Sequence, residues 1–251
     1  MSVGYQFFTV TFENITDAAN FKISDIDCTQ PSGAAWKDSG SAAQKCTGNV
    51  FIRKIDAEGS YGQQYKYYGN TDGAVEKMGW FVGDRASDFS NKVIGESEVT
   101  LSPGEGLIVY ASKAAKFRIA GGVRLTATST DVAIGYQFGG NCTPVALKLS
   151  DIGCTQPSGA AWKDTGSAAQ KCTGNIFIRK IDAEGSYGQQ YKYYGNTDGA
   201  AEKMGWFIGD RASDFSNKVI GANEVTFAPG EGWILYASKE AKLVIPAPIS
   251  E

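Results

Sequence analysis

Residues 21–119 align with residues 147–245 at a constant offset of 126 and without a gap, and 83 of the 99 positions are identical. One fold is therefore encoded twice, in copies that each have the size of an ordinary domain. So long a period excludes a short-repeat solenoid, whose units run to about 20–50 residues. The stretch FIRKIDAEGSYGQQYKYYGN occurs unchanged at 51–70 and 177–196. Exchanges such as Ile23/Leu149, Val50/Ile176, Val82/Ile208, Leu101/Phe227, Val109/Leu235 and Phe117/Leu243 keep apolar character. Core positions tolerate such swaps, so these side chains are expected to point inward. Loops usually drift first, yet Asp72, Gly73, Arg85 and Ser87 return as Asp198, Gly199, Arg211 and Ser213. Either the duplication is recent, or both copies present one surface to equivalent partners.

Upstream, the match at this offset stops. Between 8–20 and 134–146 only Phe12 and Phe138 agree, while Gly-Tyr-Gln-Phe at 4–7 returns at 135–138 with an offset of 131. The leading strand of each copy has been replaced or re-registered while the body was kept. These boundaries predict domains at 1–122 and 123–251.

Composition removes several function classes. The chain has no histidine, which excludes Ser-His-Asp and Cys-His chemistry, histidine-ligated zinc or haem, and an imidazole pH switch. Twenty-four basic against 27 acidic residues leave a net charge of −3, with no footprint for nucleic acid or anionic lipid. No apolar run approaches the ~18 residues of a membrane helix, so no membrane insertion is expected. The sequence from Met1 to Tyr5 lacks the basic-then-apolar layout of a leader.

Short alternating or apolar runs bounded by turn residues predict strands at Thr9-Val10-Thr11-Phe12, 50–55, 61–68, 79–82, 99–101, 107–110 and 116–119. Residues 56–60, with Gly59, make a hairpin between the second and third, and Pro103-Gly104-Glu105-Gly106 a tight turn. Only 34–44 and 111–116 tolerate helix. The expected fold class is all-β: two tandem, near-identical β-sandwich domains of jelly-roll type.

Cys28 and Cys46 recur as Cys154 and Cys172, leaving Cys142 single. Without C-x-x-C or a Cys/His cluster, the repeated 18-residue spacing suits one disulfide per copy and an oxidising compartment; two buried free thiols per copy are the other reading. Cys142 is buried, competes for Cys154, or links chains. On the strand at 61–68, Tyr61, Gln63, Tyr65 and Tyr67 alternate onto one face. Tyr65, Tyr67 and Trp80, with Tyr191, Tyr193 and Trp206, could stack on sugar rings if exposed; strand tyrosines more often pack in a core. Asp72, Asp84 and Asp88 offer oxygens of the kind calcium takes, without EF-hand spacing; turn formation is their commoner use. Asp84, Asp88, Glu76 or Glu105 could supply paired carboxylates for glycoside hydrolysis, but none is marked as desolvated. Asn14-Ile15-Thr16 and Asn141-Cys142-Thr143 match the glycosylation sequon.

The run from the Ile-x-x-Ile-Asp-x-x-Gly hairpin at 52–59 through Tyr-x-Tyr-Tyr, Gly79-Trp80 and Leu101-x-Pro-Gly-Glu-Gly resembles uncharacterised tandem β-domains of exported and surface proteins of Gram-negative bacteria. With Thr9-Val10-Thr11-Phe12 and Ile23-Ser24-Asp25-Ile26, the likeness covers most of each copy. It implies an extracellular or cell-surface location and supplies no catalytic residue.

The function expected is structural and not enzymatic: a self-assembling subunit of an extracellular filament, tube or surface layer. Tyr5, Phe7, Val10 and Phe12 are the assembly strand, with 123–134 its counterpart between the copies. Edge pairing supplies main-chain hydrogen bonds and sets register. If copy 2 of one molecule met copy 1 of the next through a surface like the internal junction, the contact would be heterologous and a fibre would follow. Deleting residues 1–12 is expected to abolish assembly and leave a folded chain. The alternative is a bivalent carbohydrate-binding surface protein, whose paired sites would add avidity.

Overall fold

A computed structural model describes residues 3–13, 21–29, 50–55, 60–69, 75–102, 104–123, 125–155, 176–181, 186–195, 201–212 and 214–248. The helix-tolerant stretch 34–44, Asp72, Cys46, Cys172 and the sequon at Asn14 lie outside them. Copy 1 contributes β1 (Gly4–Thr9), β2 (Phe12–Glu13), β3 (Phe21–Lys22), β4 (Asp27–Thr29), β5 (Val50–Ile55), β6 (Tyr61–Tyr68), β7 (Gly79–Val82), β8 (Thr100–Leu101), β9 (Gly106–Ala111) and β10 (Lys116–Arg118). The connection carries β11 (Gly122–Val123) and β12 (Thr128–Val132). Copy 2 follows with β13 (Gly135–Gly140), β14 (Leu147–Lys148), β15 (Gly153–Thr155), β16 (Ile176–Ile181), β17 (Tyr187–Tyr194), β18 (Gly205–Ile208), β19 (Thr226–Phe227), β20 (Gly232–Ala237) and β21 (Ala241–Ile245). The chain is all-β: among the described residues the helical pieces are three-residue 3-10 turns.

Each copy builds one five-stranded antiparallel sheet in the same order, β1-β9-β5-β6-β7 and β13-β20-β16-β17-β18. The 50–55/61–68 hairpin forms as its turn signals require. Val50, Ile52, Tyr65, Tyr67, Trp80, Leu107, Val109 and Ala111 face a core shared with Phe21, Ile23, Ile26, Cys28 and Leu101 from the short strands and turns beneath. Copy 2 has its own, separate core. The exchanged apolar positions Ile23, Val50, Leu101 and Val109 are all buried, as their conservative swaps demand.

The strand expected at 9–12 is divided: Val10 and Thr11 leave the sheet, and Val10 enters the core. Residues 111–116 form no helix; bends lead into β10. A register shift between Arg53 and Ile55 also upsets the expected alternation along β6. It turns Tyr61 to the outer face, where the Arg53 guanidinium sits 5.8 Å from its ring, while Tyr65 and Tyr67 stay inside.

The two leading strands occupy the same place. Tyr5 pairs with Tyr110 and Tyr136 with Tyr236, so 131 is the true offset for β1 and β13. Phe21 pairs with Leu101 and Leu147 with Phe227 at the offset of 126. Copy 1 is therefore longer by five residues between its first and third strands, and part of that extra chain is β2, which pairs with β11. Facing positions in β1 and β9 have been exchanged together: the pair Phe8–Leu107 of copy 1 is Gly139–Trp233 in copy 2. Bulk moved from one strand to its neighbour, so the volume at that corner is kept.

Candidate functional site

The first element singled out for assembly, Tyr5 to Phe12, is engaged within its own chain. β1 pairs along its whole length with β9, from Gly4 opposite Ala111 to Thr9 opposite Gly106. Val10 is fully buried and Phe8 packs on the same core. Tyr5 remains 55% exposed on the outer face, its ring tilted 50° against that of Tyr110 at 4.8 Å. Phe12 lies in β2, opposite Val123. Deleting residues 1–12 would thus remove a sheet strand and a core side chain. The expected outcome, contrary to the sequence reading, is loss of copy 1's cooperative melting transition, measured by calorimetry.

Phe7 serves the junction between copies. Its ring stacks on Phe138 at 5.2 Å with the planes 6° apart. A Cβ on Gly232 would lie 2.9 Å from the Cβ of Phe7, and one on Gly106 would lie 2.5 Å from the Cβ of Phe138. Gly106 and Gly232 are equivalent, as are Phe7 and Phe138, so one contact is made twice with the copies exchanged. Ile108 and Ile234, opposite Phe7 and Phe138 in their sheets, are 3% exposed yet belong to neither core. The junction is thus self-complementary, and a contact of this kind closes on itself. It is used up inside one chain, which corrects the expectation that a surface like it propagates a fibre. The backbone adds an antiparallel bridge between Phe8 and Glu231, with the Thr9 amide donating to the Gly230 carbonyl at 3.0 Å.

The far edges of the two large sheets are covered. Val82 donates to the Asn91 carbonyl and Val93 to that of Trp80, each at 2.9 Å, so residues 91–93 line β7. Residues 217–219 line β18 in the same way. A sequence scan misses this, because these residues are too few and too irregular to read as a strand.

The small sheets differ between the copies. In copy 2, β21 is central: β15 pairs on one side and β12, from the connection, on the other, with Asp131 opposite Lys242. Its burial alternates fully, with Ala241, Leu243 and Ile245 at 0–4% exposure. The equivalent β10 pairs with β4 alone among the described residues. Lys116 and Arg118 are exposed, while Phe117 and Ile119 are only half-buried where Leu243 and Ile245 are buried. Residues 123–134, expected to mirror the N-terminal strand, instead supply β12 to copy 2; the mirror of β1 is β13.

The six rings named as a sugar platform are interior. Tyr65, Tyr67, Trp80, Tyr191, Tyr193 and Trp206 are at most 8% exposed, and the indoles donate to the Ile26 and Ile152 carbonyls. They face inward because β6 and β17 give the core that side of the sheet. Burial pushes the Tyr193 phenol up to about 12. It also raises Tyr65 and Tyr191, and Tyr67 further still, where the Asp27 carboxylate adds to the burial. Copy 2 carries Gly153 in place of Asp27. Folded values above the ordinary ~10 mean stability is full below pH ~10 and falls as pH rises toward 12. Alkaline titration should therefore show tyrosinate absorbance from these residues only together with loss of near-UV circular dichroism.

The carboxylates are engaged separately. Asp84 is exposed and held by Lys66 at 2.9 Å, which lowers its pKa. Asp88 accepts from the Ser90 amide, and Glu105 pairs with Lys54 at 2.8 Å. Glu76 is exposed on a 3-10 turn. No group of three or more acidic or cysteine side chains that could hold calcium or another metal exists among the described residues. Arg85 and Arg211, whose recurrence in loops stood out, are 5% exposed. Each lies over a buried tyrosine, 5.1 Å from Tyr68 and 5.0 Å from Tyr194. These two arginines are packed into the fold and not presented at its surface.

Cys28 and Cys154 are buried, and no disulfide forms among the described residues. Cys142 is a fully buried free thiol 3.5 Å from the Thr128 hydroxyl, which decides among its three expected fates. Asn141 is also fully buried, donating to the Val145 and Phe227 carbonyls, so its sequon is closed to modification in the folded chain.

No helix among the described residues is long and apolar enough to cross a membrane. No family model, no curated protein and no solved structure matches the chain.

Proposed function

We propose that this chain is a structural, self-associating subunit of an extracellular filament, tube or surface layer, built of two tandem β-sandwich repeats that associate by strand addition. The observation that carries this reading is β12. A strand from the connection between repeats completes a sheet of copy 2, so the chain already joins its parts by backbone pairing. Edge pairing of this kind gives main-chain hydrogen bonds without a side-chain pocket. The extracellular location rests on the repeated cysteine spacing and on the resemblance to exported β-domains. The reading assigns no catalytic role, and among the candidate carboxylates Asp84 and Glu105 serve ion pairs and Asp88 a turn.

The carbohydrate-binding alternative loses the rings on which it was built. Among the described residues the exposed aromatics are Tyr5, Tyr61, Tyr136 and Tyr187, and none of them belongs to that platform. Sedimentation velocity over a wide concentration range, with negative-stain microscopy, tests the assembly reading. Open-ended polymers growing with concentration are expected; one species of constant size at every concentration would refute it.

A further inference from the structure

We infer that the corner of copy 2 around Trp233 and Gly139 is a binding cleft for a small, uncharged molecule, or the end of a larger one, that carries an acceptor oxygen on a short apolar body. This goes beyond the assembly reading and does not depend on it.

The two repeats fill this corner differently. In copy 1, Phe8 meets Phe117 edge-on at 6.4 Å. Their counterparts in copy 2, Gly139 and Leu243, are both smaller. Bulk returns at Trp233 and Phe227, which stand for Leu107 and Leu101, but these two rings pack on each other at 4.8 Å. The total is kept and its place is not. What remains beside Gly139 is a cleft of about 40 Å³, with Gly139, Trp233 and Leu243 among its walls. Thr130 shows the same gap from the neighbouring strand. It shares the inward face of β12 with buried Thr128 and Val132, yet it is exposed, and it lines the cleft.

Chemistry selects the occupant. Trp233 is 2% exposed, and its Nε1–H has no hydrogen-bond partner among the described residues. The indoles of Trp80 and Trp206, by contrast, each donate to a carbonyl. A Cβ on Gly139 would lie 2.8 Å from the Trp233 Nε1, so the N–H stands over a part of the cleft wall that has no side chain to cover it. A buried donor left unpaired costs free energy that an acceptor recovers, and an indole N–H can only donate. The remaining walls are largely apolar, with Val132, Phe138, Leu235 and Ile245 among them, and cannot solvate an ion. An internal water needs two to four polar partners, which such walls supply poorly. One water takes about 10–15 Å³, so the space suits a group of about three or four heavy atoms.

The test titrates acetone, one acceptor oxygen on a three-carbon body, into the full chain carrying nitrogen-15 in its indoles. The Trp233 indole N–H signal should move downfield and saturate at one site per chain, while those of Trp80 and Trp206 stay in place. Isobutene has the same shape without the oxygen and should bind about fivefold more weakly. Trp233→Phe keeps a ring and removes the donor, so acetone, followed there at the Leu243 methyl signals, should lose its advantage over isobutene. Gly139→Phe combined with Trp233→Leu installs the pair that copy 1 already accommodates, and this chain should fold and bind neither probe. No saturable shift at Trp233, equal binding of both probes by the parent chain, or acetone binding retained by the double variant would overturn the assignment. So would a water at the N–H, seen by its nuclear Overhauser contact, that acetone does not displace.

Discussion

Trp206→Ala should destabilise copy 2 by about 3–5 kcal/mol, the range for truncating a buried aromatic. The indole is 1% exposed and meets Tyr193 edge-on at 5.1 Å. Its Nε1–H donates to the Ile152 carbonyl at 2.8 Å. Alanine leaves both a cavity and a buried carbonyl without its donor, and the second defect alone costs about 1–3 kcal/mol. Trp80→Ala should do the same to copy 1, where the Ile26 carbonyl is the acceptor at 2.7 Å. Because the cores are separate clusters, calorimetry should show each variant splitting one transition into two, with the mutated copy melting first. Equal loss across one undivided transition would show that the junction couples the copies into a single unit.

Gly232→Val should cost about 3 kcal/mol or more and loosen the junction without harming either core. Any Cβ there falls 2.9 Å from the backbone carbon and Cβ of Phe7, against the ~3.5–4.0 Å of an ordinary carbon contact. Neither atom lies at the end of a flexible side chain, so relief requires the strands to move apart. Gly106→Val meets Phe138 more closely, at 2.5 Å, and should act at least as strongly. Small-angle scattering should report a larger radius of gyration for both variants, with far-UV circular dichroism unchanged. A compact particle of unaltered radius would mean that the copies do not meet through these glycines.

Four strands of the large sheet, 50–55, 61–68, 79–82 and 106–111, were legible because each reads as an alternating or apolar run between turn residues, whereas the first was looked for at 9–12 and lies at 4–9. The interior position of Tyr65 and Tyr67 was not, since alternation places them on one face without saying which face is wet. Tyr61 was misplaced with them because a one-residue shift is invisible in sequence. Gly-Tyr-Gln-Phe, at its odd offset of 131, already marked the equivalence of β1 and β13. The five added residues that restore 126 were hidden by reading a single offset throughout. The closed junction rests on what Gly106 and Gly232 lack, and a missing side chain signals a close approach only once its neighbour is known. The difference between β10 and β21 was present as Arg118 against Val244, but an exposed cation on a strand has no meaning until its neighbours in the fold are seen.

Amide exchange on the intact chain at low and at high concentration tests the proposed association by strand addition most directly. On that proposal, amides of an edge strand exchange freely in dilute solution and become protected as the concentration rises. Amide protection that is the same on every strand at both concentrations would contradict it.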